Sequence, residues 1–334
     1  MILPSSRSLL PIYFLLLHWG ISTLFHRSKP YPPPTPSTSC ILITGTSSGI
    51  GHHAALHLTK LGYHVFAGVR KIEDAKKLSS DYEEILRLRG EEVVRGGGVL
   101  MPVMLDVEDE QMIDGVVEEI EHLCKPPRHL TTLINNAGIQ QITPLEQTSL
   151  SSLQKTFSIN TFSPIILVQK FLPLLRKSPT KRIVNIGSIS SYITPPFYGI
   201  YGASKSAFES VNDALRVELR EWNISVSLLL PGSIDTPIEK KMVGQAKLVI
   251  ENDKEEQLYA ARMFRMSHAL DYIYDYPPLK ALAFSDVEET TKAIVDAVES
   301  GRPKTKYMVG MDAWFYGYLV FVPDRIVDWF MSFL

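Results

Sequence analysis

The sequence predicts a single α/β domain in which a parallel sheet is wound with helices on both faces. From Cys40 onward, short apolar runs typical of strands alternate with longer runs of helical periodicity, and this alternation favours parallel pairing. The strand runs lack polar alternation, as expected for a sheet that is covered on both faces. We therefore expect one doubly wound domain over residues 40–310.

The predicted elements follow one another in a regular order. Strands are expected within CILITG, YHVFAGVR, GVLMPVMLDV, LTTLINNAG, KRIVNIGSIS and ISVSLLLPG. Helices are expected between them, within GIGHHAALHLTKLG, IEDAKKLSSDYEEILRLRG, DEQMIDGVVEEIEHLC, SLSSLQKTFSINTFSPIILVQKFLPLLRK and YGASKSAFESVNDALRVELREW. Residues 87–98 end in three glycines, and we expect them to form a loop insertion before the third strand.

Both ends of the chain are unusually apolar. Residues 9–25 carry no charge and reach the short limit for a helix that spans a bilayer. We expect residues 1–29 to be retained as a membrane anchor; a cleaved signal peptide and a helix lying on the membrane surface are the alternatives. The proline-rich residues 30–39 are predicted to be an extended linker that holds the domain away from the membrane. The aromatic tail, residues 311–334, suits a membrane interface, although it could also pack on the domain or on a partner subunit.

Composition excludes several classes of function. A net charge of −2 argues against a nucleic-acid-binding surface. Cys40 and Cys124 are the only cysteines, so we expect no disulfide framework, but two buried thiols in a reducing compartment. No metal site is expected at the closely spaced histidines, which lack nearby cysteine or acidic partners: His52, His53, His57 and His64. Asn223 begins a glycosylation sequon, but it enters a predicted core strand, so we expect it to be unmodified.

The segment TGTSSGIG, residues 44–51, lies between a predicted strand and a predicted helix. Glycines in this context let a phosphate approach bare backbone, and the N-terminus of the following helix carries partial positive charge. Ser47 and Ser48 can add hydroxyl donors. The segment therefore predicts a site for a dinucleotide phosphate, although a Gly/Ser turn without a ligand would have the same composition.

Three further motifs follow in order, namely NNAG at Asn135–Gly138, YGASK at Tyr201–Lys205 and the dipeptide Pro231-Gly232. With these motifs the chain resembles the short-chain dehydrogenase/reductase family over roughly residues 40–310. The tail and the preceding PKTKYMVGMDAWF are most similar to the branch of retinol dehydrogenases and 17β-hydroxysteroid dehydrogenases. The resemblance implies a Rossmann-type fold and a nicotinamide dinucleotide bound by Gly45, Ser47, Ser48, Gly49, Ile50, Gly51, Asp106, Val107, Asn136, Ala137, Gly138, Tyr201, Lys205, Pro231, Gly232 and Thr236.

Tyr201 and Lys205 are four residues apart in a predicted helix, so their side chains lie on one face. An ammonium close to a phenol favours the phenolate, and such a tyrosine can donate a proton to a carbonyl or take one from an alcohol. The family resemblance adds two partners. Ser188 matches the serine that hydrogen-bonds the substrate oxygen, and Asn160 matches the asparagine that holds a proton-relay water.

The end of the second predicted strand indicates which cofactor is used. A fold that prefers NAD usually has an acidic residue there to bind the ribose 2′-hydroxyl. This strand ends in FAGVRK, with Val69 at the acidic position and Arg70 after it. Because an arginine suits a 2′-phosphate, we expect NADP(H) to be preferred, with NAD(H) as the alternative.

Residues 233–276 are expected to form a lid rich in methionine and tyrosine over a lipophilic substrate. The leading hypothesis is an oxidoreductase for a lipophilic alcohol and its ketone or aldehyde, such as a steroid or a retinoid. One alternative is a reductase of a 3-keto sphingoid base or an acyl-dihydroxyacetone phosphate, with Lys240, Lys241 and Lys247 as a basic patch for the phosphate. A non-catalytic scaffold at the membrane, which binds cofactor without turnover, is the alternative from another class.

The sequence also suggests where the protein resides. Arg27 and Lys29 follow the apolar N-terminal run, whereas only Arg7 precedes it. Because the more positive flank stays in the cytoplasm, we expect the catalytic domain to face the cytosol, at the endoplasmic reticulum or the surface of lipid droplets. A homodimer is possible.

Overall fold

The computed structural model describes residues 30–89, 97–237 and 284–331, together with five isolated residues: Tyr259, Phe264, Tyr272, Asp275 and Tyr276. The predicted anchor (residues 1–29) and most of the predicted lid lie outside these ranges. So do the centre of the 87–98 insertion and the three lysines of the alternative phosphate site.

Seven parallel strands form one sheet in the order β3-β2-β1-β4-β5-β6-β7. Their bounds are β1 Ser39–Ile43, β2 His64–Val69, β3 Val99–Met104, β4 His129–Asn135, β5 Arg182–Ile186, β6 Ser225–Pro231 and β7 Lys306–Val309. The first six strands coincide with the predicted runs. The order reverses between β1 and β4, and this reversal is the switch point at which open α/β sheets bind ligands.

The helices of the described ranges connect these strands and extend beyond the last one. Their bounds are α1 Gly49–Lys60, α2 Ile72–Arg89, α3 Glu110–Leu123, α4 Leu150–Phe157, α5 Ser163–Lys177, α6 Gly199–Glu218, α7 Val287–Glu299, α8 Met311–Leu319 and α9 Asp324–Met331. Helices α7, α8 and α9 and strand β7 were not predicted from the sequence.

Each face of the sheet has its own buried cluster of apolar side chains. On one face, α3 and α5 contribute residues such as Ile113 and Phe171. On the other face, α1 and α7 contribute residues such as Leu58 and Ile294. Two covered faces explain why every residue of β1, β2, β5 and β6 is buried, since neither face of the sheet is left to water there.

The long helix predicted before the fifth strand is interrupted. Residues Ser158–Phe162 form a π-helical turn between α4 and α5, and such insertions occur mostly at functional sites. By length and composition alone, the continuous run Leu150–Lys177 could cross a membrane. However, 56% of its most apolar 18-residue stretch is buried inside the domain, as expected for a core helix.

The start of the proline-rich linker lies on the domain instead of projecting from it. The Tyr31 amide donates to the Gly301 carbonyl at 2.9 Å. The guanidinium of Arg182, which is only 1% exposed, donates to the carbonyls of Tyr31 and Pro32 at 3.2 Å each and lies over the Tyr31 ring. Tyr31 and Pro32 therefore pack on the domain and do not extend away from it as predicted, because the buried guanidinium of Arg182 binds their carbonyls.

The two cysteines are joined, which corrects the expectation of separate thiols. Cys40 in β1 and Cys124 at the end of α3 form a disulfide across 84 residues of sequence, with Cα atoms 6.5 Å apart. Helix α3 runs back along the sheet, so its C-terminal end lies beside the beginning of β1. Asn223 also differs from expectation, because it lies exposed in a turn before β6 and not inside the strand.

Candidate active site

A cavity of about 510 Å³ opens at the carboxyl ends of the strands β1 to β6. Nearly all of the residues predicted to bind the cofactor line this cavity. They are Gly45, Ser47, Ser48, Gly49, Ile50, Arg70, Asp106, Val107, Asn136, Ala137, Gly138, Tyr201, Lys205, Pro231, Gly232 and Thr236. Among the predicted catalytic residues, Ser188, Tyr201 and Lys205 line the same cavity. The two sets therefore meet in one place.

Gly51 is the predicted cofactor residue that does not line the cavity. A Cβ atom at this position would lie 2.3 Å from the side-chain nitrogen of Asn136 and 2.5 Å from the Gly45 carbonyl. The absence of a side chain is thus needed for packing, not for contact with a ligand. By letting α1 approach the loop after β4, Gly51 brings the helix N-terminus to the cavity.

Hydrogen bonds join the glycine loop to the loop after β4. The side-chain nitrogen (Nδ2) of Asn136 donates to the carbonyls of Thr44 and Gly45 at 2.8 and 2.9 Å. In return, the Thr44 hydroxyl accepts from the backbone amides of Asn136 and Ala137 at 3.0 and 2.9 Å. These bonds fix the cavity wall before any ligand arrives, and such preorganisation favours tight binding.

The ends of β2 and β3 supply the charged part of the cavity. Val69 is buried, and Arg70 is exposed with its side chain at the cavity. Asp106 also lines the cavity, and one of its carboxylate oxygens accepts the Glu108 amide at 3.1 Å. Where the sequence predicted the cofactor ribose to bind, the chain therefore presents the Arg70 cation. Val69, at the position where NAD-binding folds have an acidic side chain, is apolar.

Helix α6 carries Tyr201 and Lys205 on one face, as the spacing predicted. The Lys205 ammonium lies 5.9 Å from the centroid of the Tyr201 ring and donates to the Ile186 carbonyl at 2.9 Å. Lys205 is only 5% exposed, and burial lowers the pKa of its ammonium to about 8. At neutral pH it stays mostly protonated, so it can supply positive charge beside the phenol.

Ser188 begins a short turn directly after β5. It is buried, and its hydroxyl oxygen accepts the Ser190 amide at 3.1 Å. The Ser191 hydroxyl in turn donates to the Ser188 carbonyl at 2.8 Å. These bonds hold the turn so that the Ser188 side chain lies at the cavity together with Tyr201.

Asn160 lies in the π-helical turn and is 1% exposed. Its side-chain oxygen accepts the Ile139 amide at 2.9 Å, and its nitrogen donates to the Ile139 carbonyl at 2.9 Å and to the Ser204 hydroxyl at 3.0 Å. The asparagine is thus near the site without lining the cavity, and it clamps the residue that follows Gly138. Its predicted role in holding a relay water remains a prediction.

A polar group of cavity residues could not be predicted from the sequence. The group lies on the loop after β4 and on α4, and consists of Gln140, Gln141, Ser152 and Lys155. The Gln141 amide donates to the Ser152 hydroxyl at 3.0 Å and accepts from the Thr156 hydroxyl at 3.2 Å. These residues form no local motif, so only the fold brings them together.

The clustered histidines contact other groups of the protein. A ring nitrogen of His53 lies 2.8 Å from the Thr291 hydroxyl, and burial lowers the pKa of the His53 imidazole. His52 lies 3.2 Å from the Thr46 carbonyl and 3.0 Å from the Asp81 carboxylate. These contacts tie α1 to α7 and α2, which is a packing function.

The fold and the cavity define a Rossmann-type oxidoreductase, in which a glycine loop at a helix N-terminus meets a tyrosine and a lysine at the switch point of a parallel sheet. The chain belongs to the short-chain dehydrogenase family, whose sequence model matches residues 39–247. The expected family is thereby confirmed. The protein is therefore an oxidoreductase that acts on alcohol or keto groups with a nicotinamide cofactor.

Individual relatives span most of the chain. The NADPH-dependent 3-dehydrocapnine reductase of Ornithobacterium rhinotracheale is 30% identical over 86% of this chain and 94% of its own length. Estradiol 17-beta-dehydrogenase 2 of Mus musculus is 28% identical over 97% of this chain and 82% of its own. The expected likeness to the branch of retinol and 17β-hydroxysteroid dehydrogenases is also confirmed.

A similar fold occurs in the crystal structure of a short chain dehydrogenase from Burkholderia cenocepacia J2315 in complex with NADP. It is 20% identical, covers 89% of this chain and 99% of that chain, and has a TM-score of 0.61.

Proposed function

We propose that this protein is an NADP(H)-dependent oxidoreductase that interconverts a lipophilic alcohol, such as a steroid or retinoid, with its ketone or aldehyde. The observation that carries the proposal is the meeting of Ser188, Tyr201 and Lys205 in the cavity that the glycine loop lines. A scaffold that only binds cofactor could use the buried Lys205 for the nicotinamide ribose, but it would not require Ser188 and Tyr201 beside that lysine.

The cavity fits a dinucleotide cofactor. The N-terminus of α1 and the backbone of residues 45–50 would face its phosphates, and Lys205 is a buried cation that would suit the nicotinamide ribose. Arg70 supports NADP(H) over NAD(H), since a guanidinium pairs with a 2′-phosphate. A relative described as NADPH-dependent and a solved neighbour in complex with NADP agree with this preference.

When bound, the nicotinamide ring supplies or accepts the hydride. The chain itself handles the substrate oxygen and its proton. Ser188 would hydrogen-bond the oxygen, and the Tyr201 hydroxyl would donate a proton to it during reduction or take one during oxidation. The Lys205 ammonium favours the phenolate that remains after donation, and Asn160 holds the loop that follows Gly138.

The polar cavity residues favour a second candidate, the reductase of a lipid-synthesis intermediate. Lys155 on α4 would attract an anionic headgroup, and Gln141 and Ser152 would donate hydrogen bonds to it. Of the two intermediates considered, this cation favours acyl-dihydroxyacetone phosphate over a 3-keto sphingoid base, whose amine carries positive charge.

The tail supports attachment to a membrane. Aromatic side chains on and between α8 and α9 are exposed, among them Trp314 at 53%, Phe321 at 85% and Trp329 at 64%. Exposed tryptophan and phenylalanine are typical of a membrane interface. We propose that the tail lies on the membrane that the N-terminal segment enters, at the endoplasmic reticulum or on lipid droplets. The more positive flank favours a catalytic domain in the cytosol, whereas the Cys40–Cys124 disulfide is typical of an oxidising compartment, so the side is decided by protease protection.

The function is tested by incubating the purified full-length protein in detergent with NADPH, NADH and their oxidised forms against steroids, retinoids and ketolipids. The Tyr201→Phe variant is the matched control, since it lacks only the phenol oxygen. Turnover of a lipophilic alcohol or ketone that Tyr201→Phe abolishes would support the proposal, and equal turnover by both proteins would contradict it. A preference for acyl-dihydroxyacetone phosphate that Lys155→Ala removes would favour the second candidate.

A further inference from the structure

The loop after β6 forms one wall of the cavity through Pro231, Gly232, Ile234, Thr236 and Pro237. Backbone bonds to the C-terminal part of the domain support it. The Gly232 amide donates to the Val309 carbonyl at 2.9 Å, and the Ser285 amide donates to the Ser233 carbonyl at 2.9 Å. The position of this wall therefore depends on residues that come more than fifty positions later in the chain.

One side chain from the C-terminal helices reaches the same loop. The carboxylate of Asp312, in the first turn of α8, accepts the Ser233 backbone amide at 2.6 Å through one oxygen. Its other oxygen accepts the Ala313 amide at 2.9 Å. A bond to a charged acceptor is stronger than one between neutral groups, so the carboxylate joins the beginning of α8 firmly to the loop.

The loop has a glycine at the point where the carboxylate approaches it. A Cβ atom on Gly232 would lie 2.0 Å from one Asp312 oxygen and 2.3 Å from the other. Atoms cannot approach this closely, so a side chain at Gly232 would displace either the loop or Asp312. The absence of a side chain at Gly232 therefore makes room for the Asp312 carboxylate, 80 residues later in the chain.

We propose that Asp312 is a positioning residue of the cofactor site. Asp312 does not line the cavity; it acts through Ser233 and Gly232, whose loop would contact the bound dinucleotide. The inference rests on the proposed function, because it assumes that a nicotinamide dinucleotide occupies this cavity. Helix α8 would then have two roles: Asp312 in its first turn supports the cofactor site, and its exposed aromatic side chains face away from the domain.

The test compares NADPH binding to the full-length protein carrying Asp312→Ala, Asp312→Asn or the control Asp324→Asn. Asp324 is an exposed aspartate at the beginning of α9. We expect Asp312→Ala to raise the NADPH dissociation constant about tenfold, as for loss of a hydrogen bond to a charged acceptor. Asp312→Asn keeps one acceptor oxygen and should have a smaller effect, and Asp324→Asn should have none.

A second readout separates positioning from general destabilisation. Loop contacts made equally before and during the reaction change KM for the cofactor but leave kcat at saturating cofactor nearly unchanged. Gly232→Ala should weaken NADPH binding less in the Asp312→Ala background than in the wild type, because the colliding oxygens are then absent.

The outcomes distinguish this inference from the proposed function. If Asp312→Ala lowers the melting temperature but leaves the dissociation constant and KM unchanged, Asp312 only stabilises the fold and the inference is wrong. Equal effects of Gly232→Ala in both backgrounds would also overturn it. If the wild type binds neither NADPH nor NADH, the proposed function itself fails.

Discussion

Replacing the buried Lys205 with methionine should make the protein inactive and more stable at neutral pH. The lysine Nζ is enclosed by the domain and donates to one carbonyl, that of Ile186, at 2.9 Å. Methionine has a similar length and no charge, so it removes the buried ammonium without opening a large cavity. Turnover should be lost because the ammonium that favours the Tyr201 phenolate is removed.

The magnitude follows from the pKa of Lys205, which burial lowers from 10.5 to about 8. Since each pKa unit corresponds to about 1.4 kcal/mol, the folded protein carries a cost of roughly 3 kcal/mol while the ammonium is protonated. Losing the bond to Ile186 leaves a buried carbonyl unpaired, which costs about 1–3 kcal/mol. The difference between the two is a net gain of up to about 2 kcal/mol in the free energy of unfolding near pH 7.

The pH dependence is a sharper test than the net gain. Below pH 8 the lysine is protonated in both the folded and the unfolded protein, so the full cost applies. Between pH 8 and 10.5 only the unfolded chain binds the proton, so the stability of the wild type rises with pH. The advantage of Lys205→Met should accordingly shrink by roughly 3 kcal/mol across this interval.

The assay is urea unfolding of the cofactor-free protein at pH 7.5 and at pH 10.5, followed by tryptophan fluorescence. Lys155→Met is the control, because Lys155 lines the same cavity but is exposed. Its stability relative to the wild type should not change with pH. If the difference between Lys205→Met and the wild type were equally independent of pH, the argument from burial would be refuted.

Three further predictions concern catalysis, cofactor choice and orientation. Tyr201→Phe should reduce turnover roughly 1,000-fold or more with nearly unchanged NADPH affinity, and activity within about tenfold of the wild type would contradict its role. Arg70→Asp should shift the ratio of kcat/KM from NADP(H) toward NAD(H); a wild type that prefers NAD(H), or a variant that still prefers NADP(H), would contradict that reasoning. Protease added to sealed microsomes should digest the catalytic domain. Protection of the domain, with sugar on the exposed Asn223, would reverse the orientation.

Much of the fold could be predicted because its signals are local. Strand and helix periods are read within windows of several residues, and the glycine loop, NNAG, YGASK and Pro231-Gly232 follow in chain order. A parallel sheet gathers the ends of its strands at one edge, so motifs that follow predicted strands could be expected to meet. By contrast, β7 has only four residues, too few for a pattern to be distinguished from a loop.

Contacts between distant residues left no such signal. Asp312 meets Ser233 across 79 residues, and Arg182 reaches Tyr31 across 151 residues. The disulfide joins residues 84 apart, and nothing near either cysteine indicates that the two side chains meet. Such pairs depend on where whole elements pack, so they follow from the tertiary structure and not from spacing.

The two ends of the described chain contact opposite ends of the strands in the β5–β7 part of the sheet. The linker residue Tyr31 is held near the beginning of β5, where Arg182 lies. Helix α8 begins directly after the carboxyl end of β7, beside the loop after β6. The two proposed attachments therefore begin at different places on the domain, and each can be tested without the other.

The role of Asp312 determines how the tail attachment should be tested. We expect the full-length protein to stay in the membrane fraction at high salt, because salt weakens contacts between charges but not the burial of apolar surface. Deleting residues 1–29 should leave partial retention through the tail, since a single marginal anchor binds reversibly.

In that shortened protein, Phe321→Ser combined with Trp329→Ser should release the domain from membranes while NADPH binding is kept, because neither side chain lines the cavity. Deleting residues 311–334 instead should abolish retention and also weaken NADPH binding, because Asp312 is lost with the aromatic residues. The substitution Val217→Ser, at an exposed apolar residue on α6, is the control and should change neither property. Retention that survives the double substitution would show that the aromatic face does not hold the membrane.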